Sequence, residues 1–259
     1  MLVHRAPHPL LAPFVRSGYE GYAQALRDPV RRLEVPHAGI VLIVGLGPAI
    51  DVDGASHTSF VAGLYDAPVV VADDGRQAGI QVNLTPLGAR VLLGLPMREL
   101  TGRTVALDAV LDRHLPERLA SLPTWDARFR AFDAFLLGRL RDAPPPRPDV
   151  AYAWSRLEES GGRLAVAELC RELRCSGRHL SARFGEEVGL PPKALARVLR
   201  FERAAARLRA GEAPAAVAAA CGFADQPHLN REFRALAGRP PAAFAASVMD
   251  VQDGFGVAA

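Results

Sequence analysis

The chain of 259 residues has almost no lysine: of its 31 basic residues only Lys193 is not arginine. Cysteine is scarce too. Cys170, Cys175 and Cys221 are odd in number and form no CxxC pair, which argues against a disulfide framework or a cysteine-based zinc site and for buried thiols. No run of about 18 apolar residues occurs, so no membrane span is expected. The first residues, MLVHRAPHPLLAPF, lack the apolar centre of a secretory signal, and a cytoplasmic protein is expected. Neither a Ser/His/Asp order nor a paired-carboxylate or Cys/His motif stands out. No catalytic residue, cofactor or metal is therefore assigned, and no enzyme is expected.

What the chain does have is arginine, unevenly placed. Residues 1–150 carry 16 arginines against 16 acidic residues, whereas residues 151–246 carry 15 basic against 10 acidic ones. Asp250 and Asp253 in the tail bring the whole chain to +3. A basic half suggests a polyanionic partner.

The length allows two domains. Residues 33–82 read as short strands and turns. The β-branched run Ile40–Val44 ends at Gly45-Leu46-Gly47-Pro48, and Asp53-Gly54 and Asp74-Gly75 are turn signals. Gly45-Leu46-Gly47 lacks the third glycine and the following helix of a dinucleotide loop and reads as a turn. His37 and His57 fall on strand edges without a clustered His/Glu motif. Short helices are expected in 85–100 and 107–119. A clearer amphipathic helix spans 124–141, with Phe129, Phe132, Leu136 and Leu140 at three- and four-residue steps. APPPRP (143–148) reads as a stiff linker, and everything from Val150 to about Ser247 reads as helical. The expected fold is therefore α+β: a β-rich barrel or sandwich with short helices (1–115), a helical packing or dimerisation segment (116–142), a proline-rich linker (143–149), an all-α domain (150–247) and a tail (248–259).

The helical half repeats itself. HLSARFGEEVGLPP (179–192) and HLNREFRALAGRPP (228–241) share His-Leu-x-x-x-Phe-x-x-x-x-Gly-x-Pro-Pro at an offset of 49. Ser176 and Asp225, each three residues before its histidine, are helix N-caps, and a short helix precedes each cap. Helix, tight turn, capped helix is a helix-turn-helix, present twice. Leu180 and Phe184, like Leu229 and Phe233, are one turn apart and mark the inward stripe. Arg231 lies opposite that stripe in the second copy, with Asn230 and His228 on its shoulders. Arg178, Ala182 and Gly185 face outward in the first, flanked by Ser181 and His179. The two histidines have no partners at ligand spacing and are not read as metal ligands. Gly222 supplies positive φ to the turn. Residues 192–211 predict a connecting helix roughly 27 Å long, close to the ~34 Å between successive major grooves on one DNA face.

On these residues, Gly162 to about Ala246 resembles the double helix-turn-helix domain of AraC/XylS-type transcription regulators. The second copy, AAVAAACGFADQPHLNREFRALAGRPPAAF, follows that signature throughout. The resemblance implies that Arg178, Ser181 and Ala182 of the first copy, and Gln226, Pro227, His228, Asn230 and Arg231 of the second, read bases. Many family members carry an arginine where Ala182 stands, so the first helix would either read fewer bases or lean on Arg178 and Arg183. The N-terminal part, with FVAG (60–63) and a Gly-x-x-x-x-x-Pro-x-Gly-x-x-x-x-Leu-Gly pattern ending at Gly94, resembles the sensor halves of a less characterised branch of the family. Double-stranded DNA is the implied partner, with a small-molecule effector, RNA polymerase and a second copy of the chain as further ones. Two other readings stay open: an N-terminal enzyme or binding module tethered to DNA, and a low-specificity architectural DNA-binding protein.

Overall fold

The structure, a computed structural model, describes residues 1–250. The tail expected at 248–259 lies outside the described residues except for the helical backbone to Asp250.

Strands form two antiparallel sheets. The larger has the order β1 (Leu2–Arg5), β2 (Val15–Ala25), β9 (Arg76–Leu84), β4 (Ile40–Gly45), β7 (Phe60–Ala62), β10 (Thr104–Ala106). The smaller has the order β3 (Val30–Glu34), β8 (Val69–Asp73), β5 (Ile50–Val52), β6 (Ala55–His57). The sheets do not close into a barrel. β1, β2 and β10 lie outside the stretch that reads as strands from sequence. His57 ends β6, as expected of a strand edge, whereas His37 sits in the turn between β3 and β4.

The period-2 alternation of the larger sheet sorts its side chains onto two faces. Ile40, Leu42 and Val44 of β4 and Ile80, Val82 and Leu84 of β9 join one core with the helices α1 (Pro86–Leu93), α2 (Leu115–Ala120) and α3 (Trp125–Asp142). Val41, Ile43, Phe60 and Ala62 face the smaller sheet and its Ile50, Val52, Val69 and Val71. The architecture is thus helices, sheet, sheet.

Helix α3 begins behind the Thr124 cap, whose hydroxyl accepts from the Ala127 amide at 3.2 Å. Its buried residues are Phe129, Phe132, Asp133 and Leu136, with Tyr19 of β2 packed against both phenylalanine rings. The Tyr19 hydroxyl donates to Asp133 Oδ1 at 2.8 Å, and the His8 amide donates to the same oxygen at 3.0 Å. Gly21 is where the helix presses closest: a Cβ there would lie 2.6 Å from the Trp125 ring. The apolar stripe of α3 is therefore buried within its own chain.

Residues 143–147 are extended, and Pro148 opens α4 (Pro148–Glu159), where its missing N–H costs nothing. The rest comprises α5 (Val166–Glu172), α6 (Gly177–Val188), α7 (Pro192–Arg209), α8 (Pro214–Cys221), α9 (Gln226–Ala237) and α10 (Pro241–Asp250). The core of the sheet-rich half continues without a break into Leu157, Leu169, Leu180, Phe184 and Leu195 of the first helical repeat. The second repeat closes its own core around Phe201, Phe233 and Phe244, with ring centroids 4.8 to 6.2 Å apart, and Val35 packs against it from the sheet-rich half.

Candidate functional site

Each repeat is a short helix, a turn and a capped helix. Ser176 caps α6, its hydroxyl accepting from the His179 amide at 3.2 Å. Asp225 caps α9, accepting from the His228 amide at 2.6 Å. Gly222, the residue after α8, has φ of +78°, which a side chain would oppose. Leu180, Phe184, Leu229 and Phe233 are buried as the spacing requires. The connecting helix α7 has 18 residues and ends at Arg209, one turn residue before Gly211.

The base-reading residues implied by the resemblance lie together on the outer faces of α6 and α9. Arg178 and Ala182 are exposed and Ser181 half-buried; Gln226, Pro227 and Arg231 are exposed, and Asn230 is half-buried. Among the described residues Arg178, Arg231 and Arg234 make no ion pair or side-chain hydrogen bond, so three guanidinium groups face solvent uncommitted. Arg183, expected to assist Arg178, instead donates to Asp149 of α4 at 2.6 Å, because the helix turn that exposes Ala182 directs its neighbour at α4. His228 is half-buried: its Nδ1 accepts from the Ala224 amide at 3.3 Å and its ring packs edge-on to Phe223. Glu232 turns inward and holds Arg197 of α7. Of the cysteines, Cys221 is buried, whereas Cys170 and Cys175 are only half-buried.

A second feature lies between the sheets, a cavity of about 130 Å³. Its floor is a cross-strand row in which Asn83, Val41, Ala62 and Thr104 stand side by side on β9, β4, β7 and β10. The next row carries Gln81, Ile43 and Phe60. Val69, Val71, Ile50 and Val52 form the roof. Thr104 Oγ1 and the Tyr65 hydroxyl meet at 2.9 Å, whereas Asn83 Oδ1 is buried with no hydrogen-bond partner. Sequence reading missed this site; its only signal is the polar pair Gln81 and Asn83 within the apolar second half of β9.

The mouth of the cavity touches the helical half. The turn Val35–Gly39 contributes Val35, Pro36, His37 and Gly39 to the lining. In the same turn the Ala38 amide donates to Glu202 of α7 at 3.2 Å, and its carbonyl accepts from Arg16 at 2.7 Å. His37 is half-buried, and its Nδ1 accepts from the Gly39 amide at 3.1 Å, which requires an unprotonated nitrogen. Desolvation, with the nearby Arg16 charge, pushes its pKa down to about 4, against a smaller opposing pull from Glu34. A second seam joins α6 to the sheet-rich half: the Thr101 hydroxyl donates to the Gly189 carbonyl at 2.5 Å, and Arg98 pairs with Glu186 at 3.1 Å.

Residues 169–247 match the family described as Helix-turn-helix domain. With two capped copies of the motif and the signature in the second, the assignment follows. The helical half is an AraC/XylS-type helix-turn-helix domain. The chain is accordingly a DNA-binding transcription regulator. Ahead of this AraC/XylS-type domain, residues 3–106 match a domain of unknown function, DUF6597. The whole chain resembles ToxT from Vibrio cholerae in fold, at 12% identity and a TM-score of 0.52, over 89% of this chain and 98% of that one. ToxT of strain SCE256, solved with an unsaturated fatty acid bound, is similar at 14% identity and a TM-score of 0.51, over 92% of this chain and 98% of that one. No curated protein matches the sequence. Among the described residues no helix is long and apolar enough to cross a membrane, and no three His, Cys, Asp or Glu side chains gather as a metal site.

Proposed function

We propose that the chain is a sequence-specific regulator that inserts α6 and α9 into successive major grooves of double-stranded DNA, under the control of a small molecule bound by its sheet-rich half. The observation that carries this reading is the pair of capped helices, each with an uncommitted arginine on its outer face. Arg178, Ser181 and Ala182 on α6, and Gln226, Pro227, His228, Asn230 and Arg231 on α9, are the proposed base-reading positions. His228 is the one whose hydrogen bonds already lie within its own turn. Arginines outside the helices and the two helix N-termini would hold the phosphates and set the register.

Control by a small molecule is supported by the turn Val35–Gly39, which lines the cavity and also binds α7, the rod that spaces the two reading helices. That ToxT is found with a fatty acid bound makes a small effector the natural partner to test first. A second copy of the chain and RNA polymerase are further proposed partners, and the protein would act in the compartment that holds the DNA.

The test is selection of bound genomic fragments followed by affinity measurements on the selected site, its single-base variants and random duplex at several salt concentrations. Specific affinity should exceed random by about 10³-fold or more. It should fall linearly in a log–log plot against salt, with a slope of about −0.9 per phosphate contacted. Equal binding to all sequences would leave an architectural protein instead, and a slope near zero would remove backbone docking.

A further inference from the structure

Resting on the reading of the sheet-rich half as the sensor, we infer that the cavity between the sheets takes a small, uncharged molecule with an apolar body of about benzene size and one hydroxyl or amide group that pairs with the Asn83 side-chain amide.

Size comes first. A cavity of about 130 Å³ is close to the ~150 Å³ that holds a benzene molecule in an apolar protein interior. Oleate, and long-chain acids generally, are several times too large.

The walls decide the body of the ligand. Val41, Ile43, Ile50, Val52, Phe60 and Val71 surround the space with methyl groups and one ring. They favour an apolar, compact molecule.

The polar groups decide its one functional group. Where two sheets face each other, inward positions are normally apolar. On β9 the inward positions are Gln81 and Asn83. The Asn83 side-chain amide lines the cavity and its Oδ1 has no hydrogen-bond partner among the described residues; amide oxygen and nitrogen are interchangeable in place, so the amide calls for a group that can both donate and accept. Thr104 and Tyr65 satisfy one another at 2.9 Å and leave Asn83, with Gln81 beside it in the next row, as the polar positions open to a ligand.

The charges decide that the ligand is neutral. The arginine at the mouth, Arg32, is engaged with Glu34 at 2.6 Å and Asp73 at 3.1 Å. His37 uses Nδ1 as an acceptor, so its ring is uncharged. A carboxylate inside the cavity would meet no uncommitted cation, and an ammonium would meet only a carboxylate already paired.

The test uses the full chain, with calorimetry and thermal melting against 4-methylphenol, benzyl alcohol, toluene, benzoate and oleate. The two hydroxyl compounds should bind and raise the melting temperature, and 4-methylphenol should bind about tenfold or more tightly than toluene, the value of one well-placed hydrogen bond. Asn83→Leu should bring 4-methylphenol and toluene to similar affinity. Val71→Trp should abolish binding of toluene and the two hydroxyl compounds by filling the space, and Ala62→Leu, a smaller filler, should weaken binding if the tryptophan variant does not fold. Tighter binding of benzoate or oleate than of the hydroxyl compounds overturns the assignment, as does 4-methylphenol binding unaffected by the cavity-filling change. Duplex-DNA affinity, measured on the same preparations, separates this inference from the regulator reading. DNA binding without any probe binding overturns the ligand assignment alone, whereas probe binding without DNA binding supports it and removes the regulator reading.

Discussion

Arg16 and Glu202 lie 186 positions apart in sequence and meet at 2.9 Å. The pair joins the start of β2 to the middle of α7 and encloses the Ala38 backbone, whose carbonyl and amide each take one of the two side chains. Glu202→Ala removes the acceptor of both Arg16 and the Ala38 amide. Full-chain stability should fall by about 1–3 kcal/mol, and amide exchange at Ala38 and Gly39 should speed up. An unchanged melting curve with unchanged exchange would show that this clasp holds nothing.

Arg231 is exposed in the middle of α9, opposite the buried Leu229 and Phe233. Arg231→Ala should relax preference at one base pair by about 1–3 kcal/mol, the value of a bidentate guanine contact, while binding to random duplex changes little. Glu232→Ala releases Arg197 of α7 instead, so it should lower stability and leave base preference alone. Measurement of both variants on single-base operator variants at fixed salt decides; identical preferences for Arg231→Ala and wild type would mean that α9 docks without reading.

His37 links stability to pH. Its folded pKa, about 4, lies below the ordinary 6.5. Above pH 6.5 the ring is neutral in both states and contributes no slope. Between about 6.5 and 4 the unfolded chain takes up a proton that the folded site refuses, so stability falls as pH falls. The loss is bounded at about 3 kcal/mol. His37→Gln should flatten the stability–pH curve in that window, and a curve of unchanged steepness would contradict the assignment.

Asp133 is a buried carboxylate serving two donors, the Tyr19 hydroxyl and the His8 amide. Asp133→Ala orphans both and should cost about 2–4 kcal/mol in chemical denaturation. Tyr19→Phe removes one of the two bonds and should cost less. If the two variants are equally stable, the His8 bond contributes nothing.

The helical repeat was readable because each copy carries its whole logic locally: a cap, a Leu-x-x-x-Phe stripe and a terminal glycine within fifteen or so residues. The sheet-rich half was less so. β2 is rich in glycine and alanine, which predict poorly for strands, and Gly21 is there because Trp125, far along the chain, presses on it. Gln81 and Asn83 alternate with apolar residues just as solvent-facing positions do. Only the pairing of β3, β8 and β5 into a second sheet places them over a cavity. Arg183 lies about 140° round α6 from Arg178, and its commitment to Asp149 in another helix could not be read from the sequence.

The apolar core that runs from the sheet into α6 sets how far this protein can be taken apart and recombined. A chimera cut at residues 143–147 would present Leu180, Phe184 and Val188 to a foreign surface, and would lose the Thr101 and Arg98 seam along with its sensor. The second helix-turn-helix, closed on Phe201, Phe233 and Phe244, touches the sheet-rich half through Val35 and the Glu202 clasp rather than through a shared core. Exchange of operator preference between relatives should therefore be easier through α8 and α9 than through α5 and α6, and divergence of DNA sites within such a family would accumulate first in the half-site that the second motif reads.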